Sequence, residues 1–407
     1  MKQVNIILIV FITLSQSFVH GQTNAFLNAK VSFEKMQFGQ CLEFLNQHIS
    51  EYPKYENAIL LRAKTYLELK SYQLALEDIS KLKVSSNNEI YLLLARAYAG
   101  ATKNELAIEH LSKYMASNTK LPEPIIKSFP EFHTLMLSEG WLNFWKTIRY
   151  TNKEILINNA KYAIKTGNYA EAADRLDECM AKYPRSAEAF YLRGNVYFNS
   201  KDYKFAWDLY ENALQIEPKF QECILAKANC GNRLGKYKTS LDLFNSIIKS
   251  DSLTISAYPG RAESLVELGN LEQAKSDISK YREYYPENTD IQLLEAYIDT
   301  KNGDFLSAIA NYSKLIKANP AKAEYFINRA NAYMLTKTYK YAIKDYSMAL
   351  DLEPKNIEVY KSKAKAHQLE GELTQACFEW QHAAKLGDIE SMDNLHKYCK
   401  NQKISDL

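Results

Sequence analysis

The sequence predicts an all-α solenoid of about ten stacked helix pairs closed by a C-terminal capping helix, and three observations carry that prediction. The first is composition. Only 13 Gly and 10 Pro occur in 407 residues, which leaves little room for hairpin turns or long loops. The second is self-similarity at a period of 34 residues. The third is the pattern inside each period, with small residues at positions 8 and 20 and proline at position 32.

The chain opens with Lys2 in a short positive start, then an almost wholly apolar run from Ile6 to Leu14, then Val19-His20-Gly21. A charged start, a short apolar run and a small-residue exit mark residues 1–21 as a secretory signal peptide. The run is short for a bilayer span. A retained anchor and an amphipathic first helix are the alternatives. The mature chain is expected to be exported, with no membrane span after signal removal.

The array follows in order. Residues 22–121 hold three weaker repeats, starting at Gln22, Glu56 and Asn88, the second two residues short of the period. Residues 122–152 break the pattern and read as an irregular helical insert, a degenerate helix pair that splits the array. Residues 153–390 hold seven repeats in strict phase, starting at Lys153, Ala187, Gln221, Ile255, Thr289, Ala323 and Ile357. Residues 391–407 form the cap. Small side chains at positions 8 and 20 let two antiparallel helices of a repeat approach closely, and anything larger would overpack the crossing. Position 15 is glycine in five repeats (Gly167, Gly235, Gly269, Gly303, Gly371), where it can end the first helix in a left-handed turn. Proline at position 32 stops the second helix. Aromatics at positions 17 and 24 fill the space between repeats. One repeat cannot bury its own apolar face, so stacking builds the core.

The segment from Ala187 to Phe220 places Gly194, Tyr197, Tyr203, Ala206, Tyr210, Ala213 and Pro218 at positions 8, 11, 17, 20, 24, 27 and 32. It resembles a tetratricopeptide repeat. The resemblance implies a right-handed superhelix with a concave face lined by first helices, and binding of a protein or peptide partner there. In proteins of this family, positions 2, 5, 9, 12 and 13 line the groove. Carried over, these give Tyr191, Asn195, Phe198, Asn229, Arg233, Tyr297, Asn331 and Met334 as contact candidates. An Asn at position 9 can pair with both backbone groups of an extended peptide. The family's carboxylate clamp needs Lys at position 5 before that Asn. Here Tyr191, Leu225 and Ile327 stand there, so the clamp is absent.

Trp141 and Trp145 lie in the irregular stretch. They read first as packing residues and second as an aromatic contact patch. Cys41, Cys179, Cys223 and Cys230 read as buried thiols. Cys377 and Cys399 fall on either side of a turn near Gly387, where antiparallel helices would bring them opposite one another, so a disulfide between them is a candidate. The same pair with His382 and His396 has poor ligand spacing, and no metal is expected. No phosphate loop, dinucleotide fingerprint, HExxH or nucleophile elbow appears, so neither catalysis nor a cofactor is expected. A net charge of +3 lacks the dense positive field that nucleic acid requires.

The expected function is an exported protein–protein interaction scaffold. The alternatives are a structural subunit of a cell-envelope assembly, contacting partners through edges and convex faces, and an accessory of secretory-pathway chaperones. The Gly21-Gln22 exit and the Lys-, Asn-, Ile- and Tyr-rich composition resemble exported repeat proteins of Gram-negative bacteria, which implies periplasm or cell surface.

Overall fold

The computed structural model describes residues 25–83, 88–117, 120–147, 150–251 and 254–399. The signal-peptide expectation for residues 1–21 lies outside them, as does the tail from residue 400. Among the described residues all regular structure is helical. The chain forms two compact units, one ending at Cys223 and the other beginning at Ile224.

The small-residue rule explains the helix pairing. At position 8, Ala29, Ala63, Ala95, Ala160, Ala228, Ala262, Ala296, Ala330 and Ala364 are all at 0% exposure, and at position 20 nothing exceeds 1%. Gly194 shows why size matters there. A Cβ at this position would sit 2.5 Å from the ring of Tyr210. Position 24 is core throughout: Tyr210, Tyr312, Tyr346 and Phe244 are fully buried. Position 17 is half-buried in most repeats, as at Tyr203 and Tyr237, rather than fully core. It begins the second helix, where a side chain is covered on one side only, and Tyr169 is exposed.

The turn within each pair is the same in all ten repeats. Position 15 takes a left-handed backbone whether or not it is glycine. Gly167, Gly235, Gly269, Gly303 and Gly371 have φ between +70° and +89°, and Met36, Lys70, Thr102, Lys201 and Lys337 have φ between +56° and +62°. Polar caps start many of the helices. Thr151 and Glu154 form a reciprocal capping box, and Asn168, Ser186, Asn288, Asp304, Asn356 and Asp388 accept from backbone N–H groups of the turn that follows.

In the first unit, the helices after residues 25–34 are Phe38–Glu51, Glu56–Glu68, Tyr72–Ile79, Glu89–Gly100, Asn104–Met115, Asn152–Lys165, Tyr169–Lys182, Ala187–Asn199 and Tyr203–Ile216. The irregular stretch lies among them as helix Glu123–Lys127, a 3₁₀ turn Pro130–Leu135 and helix Glu139–Thr147. It is three short pieces rather than the expected helix pair, because its prolines permit only short runs. Ile126, Phe132, Leu135, Trp141 and Phe144 join the core of the third repeat. A buried ion pair ties the two together: Arg96 Nη2 donates to Glu131 Oε1 at 2.9 Å and to Glu68 Oε1 at 3.0 Å, beneath the Phe129 ring.

In the second unit, the pairs after helix Gln221–Arg233 and its partner Tyr237–Ser250 are Ala257–Glu267 with Leu271–Arg282, Thr289–Lys301 with Phe305–Ala318, Ala323–Leu335 with Tyr339–Leu352, and Ile357–Glu370 with Leu373–Lys385. Helix Ile389–Tyr398 caps the last pair. Its Leu395 packs on the buried cluster of Ala364, Ala376, Cys377, Trp380 and Cys399, while Met392 stays 42% exposed.

One recurring link is not apparent from the sequence. Arginine at position 7 forms a bidentate pair with aspartate at position 23 of its own repeat: Arg62 with Asp78, Arg261 with Asp277, Arg329 with Asp345, at 2.6–2.8 Å. Each arginine also donates Nη1 to position 25 of the preceding repeat, namely Asn46, Asn245 and Ser313. One guanidinium therefore joins three helices in a fixed fork geometry. The fifth repeat exchanges the acid's place: Arg193 pairs with Asp177, at position 25 of the fourth.

Candidate functional site

The second unit contains a cleft of about 690 Å³ built by four successive first helices, with Tyr237 from the second helix of the sixth repeat. Asn229 and Arg233 come from the sixth repeat, Glu263 and Glu267 from the seventh, Asp290, Leu293 and Tyr297 from the eighth, and Glu324 from the ninth. Within their repeats these are positions 9 and 13, again 9 and 13, then 2, 5 and 9, then 2. A helix turn every 3.6 residues puts positions 2, 5, 9 and 13 along one stripe, and the stacking of repeats sets four stripes side by side.

Close backbone approach shapes the wall between the sixth and seventh repeats. A Cβ on Gly260 would meet the Phe244 ring at 2.3 Å and Asn229 Oδ1 at 2.7 Å. Asn232 Nδ2 donates to the Gly260 carbonyl at 2.8 Å, and Ser264 Oγ donates to Asn232 Oδ1 at 2.6 Å. Pro259 also lines the cleft, in the first turn of its helix, where a missing N–H costs no helical bond. The polar rim is cross-braced. Arg233 Nη1 lies 3.0 Å from Glu263 Oε1, and the Tyr297 hydroxyl donates to Glu267 Oε1 at 2.8 Å. Burial and the adjacent Glu267 carboxylate both push the Tyr297 phenol up from its ordinary value, so it stays a neutral donor. The floor is apolar: Ile291 is buried and Leu293 and Leu294 are half-buried.

The remaining groove candidates divide. Asn331 and Met334 line a shallower hollow with Leu335, Tyr346, Lys361 and Lys365. Tyr191, Asn195 and Phe198 belong to the first unit and do not share the cleft. Tyr191 packs on Tyr210 and Phe220, and Phe198 meets Tyr203 edge-on. Asn195 and Asn331 each serve the core, because the Tyr210 and Tyr346 hydroxyls donate to their Oδ1 atoms at 2.8 and 2.6 Å. Position 9 thus holds the core tyrosine at position 24 with its carbonyl oxygen, a coupling that the 15-residue spacing alone does not announce.

Trp141 is 2% exposed and packs on Phe132, Phe144 and Trp145, so it is core and not a surface patch. Trp145 is half-buried under the Lys127 ammonium, 4.9 Å from its ring centroid. Cys377 and Cys399 are bonded, with Cα atoms 5.9 Å apart, and join the cap helix to the last repeat. His382 stacks on Tyr360 at 5.3 Å. Cys41, Cys179, Cys223 and Cys230 are buried thiols, and burial pushes Cys223 up to about 12.

Repeated helix pairs with small crossings, left-handed turns at position 15 and a cleft built from first helices define a helical-repeat solenoid. Residues 157–219 and 293–357 match the family model for the tetratricopeptide repeat. The chain is similar to Tetratricopeptide repeat protein 16 of Homo sapiens, 23% identical over 353 residues that cover 81% of this chain and 38% of that one. It is also similar to the mitochondrial import receptor subunit TOM70 of Homo sapiens, 24% identical over 83% of this chain and 59% of that one. The chain thus spans less than two thirds of either relative. Among solved structures, a tetratricopeptide repeat protein from Parabacteroides merdae superposes with a TM-score of 0.50 at 19% identity, covering 61% of this chain and 98% of that one. Tetratricopeptide repeats generally mediate protein–protein contacts without catalysis. Among the described residues no helix is long and apolar enough to cross a membrane.

Proposed function

We propose that this chain is an exported, non-catalytic scaffold that holds a segment of a partner protein in the cleft made by the first helices of repeats six to nine. The observation that carries the proposal is the convergence of positions 2, 5, 9 and 13 from successive repeats on one hollow with an apolar floor and a polar rim. A floor of Ile291, Leu293 and Leu294 offers apolar burial, and the Asn229 amide offers both a donor and an acceptor to an extended backbone. The signal-like start and the Cys377–Cys399 bond support an extracytoplasmic setting, where such bonds persist. A periplasmic or cell-surface location follows from that setting for a Gram-negative bacterial source.

The test is position-specific photo-crosslinking with the full chain in extract of its native host. A photoreactive residue replaces Asn328 in the cleft or Leu306 on the outer side, where Leu306 is 80% exposed. Adducts from the cleft position support the proposal. Adducts from the outer position alone overturn it and favour the structural-subunit reading, for which the exposed outer side chains Phe205, Leu306 and Tyr341 would be the contacts.

A further inference from the structure

The charge of the cleft indicates what kind of segment it takes, and this inference rests on the cleft reading above. Among its described lining residues, Glu263, Glu267, Asp290 and Glu324 face one base, Arg233. Arg233 is already held by Glu263. Lys301 stands beside the cleft with its ammonium 5.2 Å from the Tyr297 ring centroid, and including it leaves four acids against two bases, a net charge of −2. The protein as a whole carries +3, so the cleft opposes the sign of the molecule around it. The acids share the cleft with the apolar side chains Ile291, Leu293 and Leu294. Beside the cleft, hydrogen bonding to Tyr297 first and the nearby Glu267 carboxylate after it raise the Lys301 ammonium above its ordinary value.

We infer that the occupant is an extended partner segment carrying Lys or Arg next to aliphatic or aromatic side chains. The cations meet Glu267, Asp290 and Glu324 at the rim while the apolar side chains meet Leu293 and Leu294 on the floor. An acidic segment would set like charges against these four carboxylates, and a purely apolar one would bury the rim without a partner.

The experiment uses the full mature chain and three pools of short, extended, end-blocked fluorescent peptides. Each pool is randomised over Leu, Tyr, Asn and Ala, plus Lys and Arg, plus Asp and Glu, or with no charged residue. Binding is read by fluorescence anisotropy at low and near-physiological salt. The cationic pool is expected to bind about tenfold more tightly than the neutral pool at low salt, and the gap narrows as salt rises. The double variant Glu267→Gln, Asp290→Asn, which keeps side-chain size, is expected to remove most of that gap between the cationic and neutral pools. Its fold is checked by circular dichroism. Equal or tighter binding of the acidic or neutral pool overturns the inference, as does a cationic preference that survives the double variant or binding by no pool. A cleft crosslink at position 328 to a segment without Lys or Arg would overturn this inference alone and leave the cleft reading standing.

Discussion

Left-handed backbone at position 15 gives a prediction whose sign can be worked out from the structure. A non-glycine residue there carries about 1–2 kcal/mol of steric cost between Cβ and the following carbonyl. Glycine removes that cost but adds about 0.4–1 kcal/mol of unfolded-state entropy. The net gain from glycine is then about 0.5–1 kcal/mol per site. Thr102, at φ +59°, should gain most because it is β-branched, and it is exposed, so no packing is lost. Its hydroxyl bond to the Ala101 carbonyl is exposed and contributes little. Lys70→Gly, Thr102→Gly and Lys201→Gly together should stabilise the first unit by about 1.5–3 kcal/mol, since well-separated sites add. The reverse change, Gly303→Ala, starts from φ +81° with nothing within 4 Å of the added Cβ, so its loss of about 1 kcal/mol is conformational alone. Urea unfolding of the full chain followed by far-ultraviolet circular dichroism measures both. A lower midpoint for the triple glycine variant together with an unchanged Gly303→Ala midpoint would refute the reasoning.

Three further outcomes follow from packing and charge. Gly194→Ala should lose up to about 2 kcal/mol, because overpacking against the Tyr210 ring costs about 1–3 and helical alanine returns about 1; a stabilised variant would show that the Tyr210 ring yields. Asp345→Asn should cost about 1–3 kcal/mol, because it leaves the Arg329 fork, only 19% exposed, without its carboxylate; an unchanged melting temperature would count against the three-helix link. Alkaline stability should fall in a defined window. Burial raises Tyr346 and Cys223 to about 12, so the folded state keeps protons that the unfolded state loses above its ordinary values near 9 for thiol and 10 for phenol. That contribution is complete below pH 9 and is lost between pH 9 and about 12. Tyr346→Phe should flatten the upper part of the decline in unfolding midpoint against pH, and an identical profile would remove Tyr346 as its source.

Much of the fold is legible in the sequence because it depends on spacing along one chain. Position 8 at full burial, the left-handed turn at Gly167 or Gly371 and the stop at Pro218 are local consequences of residue size and backbone freedom. The irregular stretch departs from the expected helix pair because prolines mark where helices stop but not what the resulting short pieces pack against. The buried place of Trp141 depends on Phe132 and Phe144 meeting the third repeat. The candidate site is legible in part. Asn229, Arg233 and Tyr297 do share a cleft, but Tyr191, Asn195 and Phe198 do not join it, and Asn195 and Asn331 each hold a core tyrosine.

The sequence by itself determined an all-helical array of roughly ten helix pairs and which side chains must be small, since these follow from a 34-residue period read against helix geometry. Only the tertiary structure decided which arginine grips which aspartate, which side of position 9 is occupied by tyrosine, and that four carboxylates from three repeats gather around one apolar floor. Those outcomes depend on the angle at which one helix pair rests on the next. That angle comes from the summed packing of both faces, and no spacing within a single repeat encodes it.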